Sequence, residues 1–201
     1  MKTDVIHVSN SGDGLSAALE QAEAVARYKE LPKKSALHLR LLSEEMLGVV
    51  RAITGRCEAD FWIEDKDGAY MLHLKTRTNM NGELRKKLLS VSSTGENAKA
   101  KGIMGKIRDL FERAMETTDG SVDNYYPSGW VYPGASSDPA QFLMAADCYW
   151  SLNRYKDSVE ENGKGTEDWD ELEKSIVARL ADDVQIGIHD GNVEMVITKK
   201  L

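Results

Sequence analysis

The chain has 201 residues, 41% of them hydrophobic and 29% charged, with a net charge of −7. That length suits one large domain or two small ones, and a core of this size needs no disulfide or metal staple. Cys57 and Cys148 stand alone, without CxxC or metal-like spacing. No run approaches the roughly 18 apolar residues of a membrane span, and the opening MKTDVIHVSNSGDG lacks a signal-peptide core. A cytoplasmic protein with no membrane partner is expected.

The charge is uneven. Residues 1–115 hold 19 Lys and Arg against 16 Asp and Glu, a net of +3, whereas residues 116–201 hold 7 against 17, a net of −10. Residues 75–113 carry 10 basic and 4 acidic side chains. A basic middle in an acidic chain points to a small anionic ligand, or simply to a solvated helix face, and away from nucleic acid, which the remaining surface would repel.

In chain order, DVIHVS alternates and predicts a short strand, and NSGDG a turn. Leu15, Ala18, Ala22, Val25 and Tyr28 predict the buried stripe of a helix ended by Pro32. Ser35 is a candidate cap for the next helix. Leu39, Leu42, Met46, Val49, Val50 and Ile53 give that helix an apolar face, and Gly55 is its candidate terminator. Two alternating runs around Asp65-Lys66-Asp67-Gly68 predict a hairpin near residues 60–77. A short helix from Asn81, a polar loop and a helix over GIMGKIRDLFERAM follow. Residues 117–183 hold three of the four prolines, five tyrosines and three tryptophans, and read as an irregular and helical insertion folded onto the core. Within it, FLMAADCYWSLNRYKDSVEEN and WDELEKSIVARLAD are expected to be helical. VQIGIHDGNVEMVITKKL predicts a closing hairpin turning at Asp190-Gly191.

The expected fold is therefore α+β, a two-layer α/β sandwich. A mixed, mostly antiparallel sheet is covered by helices, with a helical or irregular insertion before the last hairpin. The chain is expected to be a single domain, 1–201, with its core in residues 1–116 and 184–201 and the insertion in 117–183.

Three stretches carry a family resemblance. Ser43-Glu44 with Gly48 four residues on, the strand end at Thr76, and Lys101-Gly102-Ile103-Met104-Gly105-Lys106 stand where motifs occur in the ATP-binding fold of histidine kinases, gyrase-type ATPases and heat-shock chaperones. The order of elements resembles the anti-sigma-factor serine kinase branch of that fold. In the family, the first motif is Ser-Glu-x-x-x-Asn: the glutamate activates or positions the attacking group and the asparagine binds Mg²⁺. The resemblance thus makes Glu44 the catalytic candidate and leaves Gly48 at the metal-ligand position with no side-chain oxygen. The family's adenine-binding aspartate corresponds to Thr76, a neutral acceptor, and its following glycines to Thr78 and Met80. Gly102 and Gly105, at a helix start, with Lys106, Lys101, Lys99 and Gly95 just upstream, resemble the phosphate loop and lid.

Two readings follow. In the first, the fold has a degraded nucleotide site: ATP binding is weak or absent, Mg²⁺ is not expected, no metal ligands are assigned, and the chain is a regulatory module with a protein partner. A homodimer is compatible with this. In the alternative, the chain is an active ATP-dependent serine kinase or ATPase using Glu44. From the residues alone, Glu44 is equally readable as the wet back of a core helix. His7, His38, His73 and His189 are scattered, with no metal-like pair. Tyr125, Tyr126, Trp130 and Tyr132 serve either as a binding surface or as pins for a loop.

Overall fold

The turn at Asp67 and Gly68 sets the register of the sheet. Both have positive φ, 55° and 82°, as a two-residue turn of the primed type requires. They join strand β2 (Glu58–Lys66) to β3 (Ala69–Arg77), pairing Phe61 with Leu74 and Ile63 with Leu72. The computed structural model describes residues 1–9, 11–53, 58–77, 130–131, 148–162, 175–189 and 192–201.

The remaining elements are β1 (Ile6–Ser9), helices α1 (Leu15–Tyr28) and α2 (Lys33–Ile53), β4 (Trp130–Val131), β5 (Cys148–Ser151), α3 (Leu152–Asn162), α4 (Ile176–Leu180), β6 (Asp183–His189) and β7 (Asn192–Lys200). One seven-stranded sheet runs β1-β2-β3-β7-β6-β5-β4. Both expected hairpins lie in it and meet at the β3–β7 pair, where Leu72 faces Ile197 and Leu74 faces Met195. The mixed, mostly antiparallel sheet expected is antiparallel in every described pairing.

Period-two alternation gives this sheet two unlike faces. Phe61, Ile63, Leu72, Leu74, Val184, Ile186, Met195 and Ile197 point inward and are buried. Leu39, Leu42, Met46 and Leu47 of α2, with Leu15, Ala18, Ala22, Val25 and Ala26 of α1, pack in the same core, as do Leu152 and Val159 of α3 and Val177 of α4. α1 can start where it does only because residue 14 is glycine: its φ is 77°, and a Cβ there would lie 2.0 Å from the carbonyl oxygen of His7.

Four local expectations change. Tyr28, placed on the buried stripe, closes α1 and is 76% exposed, while Ala26 is buried. Ser35 does not cap α2, because the helix already starts at Lys33 and the Pro32 carbonyl accepts the Ala36 N–H at 2.9 Å. Residues 148–151, expected to be helical, form β5, and the helix begins only at Leu152. Cys-Tyr-Trp-Ser is rich in strand-favouring side chains, and pairing with β6 buries Trp150 against the core. The region read as an insertion thus supplies two strands, β4 and β5, to the same sheet.

Candidate functional site

α2 is turned by its apolar residues. At about 100° per residue, burying Leu39, Leu42, Met46 and Leu47 sends Glu44 and Gly48 to the opposite side, and both are exposed. Glu44 is the candidate base, yet among the described residues no hydrogen bond or ion pair orients it. Ser43, beside it, is fully buried and donates its hydroxyl to the Leu39 carbonyl at 2.9 Å, a bond within the helix. At Gly48, a Cβ would meet nothing within 4 Å. The position has room for a side chain but offers no oxygen.

Thr76 lies near the end of β3 on the inner face, between Ala59 and Val193. It is 4% exposed, and its Oγ1 donates to the Glu58 carbonyl at 2.7 Å. The hydroxyl proton is therefore committed to the backbone, and the group carries no charge. An adenine amino group would gain less from it than from a carboxylate, since charge roughly doubles such a bond. Gly48, exposed on the outer side of α2, and Thr76, buried on the inner face of the sheet, do not fit an Mg²⁺–adenine-nucleotide site of the kind the resemblance implies. Thr78, Met80, Gly95, Lys99, Lys101, Gly102, Gly105 and Lys106 lie outside the described residues, as do the helices expected between 81 and 116 and the Asp190-Gly191 turn.

No protein-family model, curated protein or solved structure matches this chain. No helix among the described residues is long and apolar enough to cross a membrane. Among the same residues, no group of three or more His, Cys, Asp or Glu side chains is arranged to hold a metal.

The outer face of the sheet gathers polar groups that are scattered in the sequence. Trp62 and His73 sit opposite each other across the first hairpin and stack, with ring centroids 4.7 Å apart and planes 4° from parallel. The Trp62 indole donates to Glu64 Oε1 at 2.9 Å, and the Lys2 ammonium lies 3.1 Å from that oxygen and 5.0 Å from the indole centroid. Burial pushes the Glu64 carboxyl up, but the indole N–H, the Lys2 ammonium and the charge of His73 outweigh it, and the net shift is downward. His73 Nδ1 lies 3.5 Å from Glu194 Oε1, both ring nitrogens are shielded from solvent, and neither makes a hydrogen bond. On the next row, His7 Nδ1 meets Asp60 Oδ1 at 3.1 Å. The Trp62–His73 neighbourhood was readable from the hairpin turn and strand parity. Glu194 was not, because it arrives through β7, more than a hundred residues away in sequence.

A second cluster ties the helical layer to the sheet. Lys29, just after α1, pairs with the buried Asp65 at the end of β2. The Gly68 N–H also donates to Asp65 Oδ1, at 3.2 Å. The Lys29 hydrogen bond holds the Asp65 carboxyl below the usual carboxylate range, against the opposing effect of burial. This cluster reads as structural: it fixes the α1–α2 corner over the first hairpin.

Proposed function

We propose that the chain is a divergent relative of the histidine-kinase-like ATPase fold, nearest the anti-sigma-factor branch, whose nucleotide site is degraded and which acts as a regulatory protein-interaction module. Support comes from the order strand, two helices, hairpin, closing hairpin, and from the two hairpins lying side by side in one antiparallel sheet under α2. The observation that carries the degraded-site part is Gly48: the second helix holds it outward, with open space where a metal-binding side chain would stand. Thr76 adds a neutral, backbone-engaged hydroxyl at the adenine position. Glu44 alone is an exposed carboxylate with no described partner to orient it, and a general base works only when held within reach of its proton.

Replacing an aspartate's charged hydrogen bond by a neutral one weakens binding by on the order of 1–3 kcal/mol, roughly 5- to 150-fold, before any loss of metal. Titration calorimetry of ATP into the full chain, with and without Mg²⁺, tests the reading. Weak binding that Mg²⁺ does not improve is expected, with negligible hydrolysis. Micromolar, Mg²⁺-dependent binding would overturn it, and turnover abolished by Glu44→Gln would restore Glu44 as a catalytic base.

A further inference from the structure

The α1–α2 corner carries two exposed apolar side chains and three exposed cations, Arg27, Lys33 and Lys34, against one exposed acid of the turn, Glu30. Tyr28 is 76% exposed and Leu37 53%. Four residues separate Tyr28, the last of α1, from Lys33, the first of α2. At about 100° per residue, Leu37 lies one turn on, between the azimuths of Lys33 and Lys34. Arg27, Lys33 and Lys34 are exposed, and none makes an ion pair among the described residues. Lys29 and Arg40, by contrast, are already matched to Asp65 and Glu23. The first turn of α2 contains no acidic residue, so its two lysines add to the positive end of the helix dipole. That arrangement works against the isolated fold.

The opposite arrangement occurs on α3. Arg154 and Lys156 lie in its first half, but Asp157, Glu160 and Glu161 are exposed, and the last turn of the helix carries no basic residue. Acid is therefore added to the negative end of that dipole, again unfavourable within one chain. The two patches do not neutralise each other internally. Lys29 anchors the corner over the end of β2, while α3 packs on β5 and β6. Those strands lie three and four spacings from β2 in the sheet, roughly 14–19 Å at about 4.8 Å each, well beyond ion-pair reach.

We propose that the cationic α1–α2 corner of one copy docks on the acidic outer face of α3 in a second copy, with Tyr28 and Leu37 as the apolar centre of the contact. Charge complementarity selects this occupant: each patch is the mismatch that the other corrects, and the division repeats at chain level, +3 over residues 1–115 against −10 over 116–201. The contact is heterologous, because two different surfaces meet, so it propagates as a ring or a short linear array. It forms fastest at low ionic strength and is screened by salt. The inference needs no nucleotide, so its failure would leave the reading of the nucleotide site untouched.

The test is a charge swap followed by sedimentation velocity and light scattering, at about 20 mM and about 300 mM salt, where the screening length differs several-fold. The wild-type chain should gain mass with concentration at low salt and return to monomer at high salt. Lys33→Glu with Lys34→Glu should stay monomeric, as should Glu160→Lys with Glu161→Lys. Mixing those two variants should restore association at one-to-one stoichiometry, and a chain carrying all four changes should associate again. With the charges intact, Leu37→Ser should weaken association about tenfold. A wild-type chain that is monomeric at low salt overturns the proposal. So does association unchanged in either charge-reversed pair, or a mixture that stays unassociated.

Discussion

Replacing Gly48 by alanine should stabilise the protein, and the sign of that effect separates a spare position from a built one. The residue lies in the interior of α2, is exposed, and has no atom within 4 Å of where a Cβ would stand. Glycine in a helix interior costs about 0.8–1.0 kcal/mol relative to alanine, through backbone entropy. With no clash to offset it, Gly48→Ala should recover most of that. For a chain of about 200 residues this raises the melting temperature by roughly 2–4 °C. Gly14→Ala is the paired control. There the new Cβ would sit 2.0 Å from the His7 carbonyl oxygen at a φ of 77°, and left-handed strain alone costs about 1–2 kcal/mol before any backbone shift. Differential scanning calorimetry with urea denaturation reads both. If Gly48→Ala lowers stability, something packs against that face of α2, and the open position inferred for it is wrong.

Phe61→Ala removes a fully buried ring on the inner face of β2 and should cost about 3–5 kcal/mol, read as a shift of the urea midpoint at unchanged slope. Asp65→Asn should flatten the acid side of the stability profile. Because the folded carboxyl is held below its unfolded value, its contribution is complete above the unfolded pKa of about 3.9 and is lost as pH falls through the lower folded value. Urea melts between about pH 7 and pH 3 check this, and a variant with the wild-type slope would show that the Lys29–Asp65 pair does not form in solution.

The parts of the fold written in local sequence were legible. Asp67-Gly68 between alternating runs specified the first hairpin, and the spacing of Leu39, Leu42 and Met46 specified which side of α2 is buried, leaving Glu44 exposed as read. What was not legible depends on partners distant in the chain. Cys148–Ser151 reads on into the helix that follows it, but β6 offers its strand-favouring side chains a ladder and a place to bury Trp150. Tyr28 fits the helical period, yet falls on the final residue of α1, where the chain has already left the sheet. At the candidate site, Thr76 shares the parity of Leu72 and Leu74 and lies with them on the inner face. Its hydroxyl's bond to the Glu58 carbonyl requires the register of β2 against β3 at the far end of the hairpin, a long-range detail that no local motif encodes.

Under the proposed function, the outward face of α2 would be a nucleotide-fold metal position emptied of its ligand. Gly48→Asn restores a side-chain oxygen where the structure has room for one, so ATP titrated into this variant, with and without Mg²⁺, tests the claim most directly. Weak, Mg²⁺-indifferent binding by the wild-type chain and about tenfold tighter binding by the variant only when Mg²⁺ is present is the result expected. Identical titrations for the two proteins, with or without the metal, would contradict it.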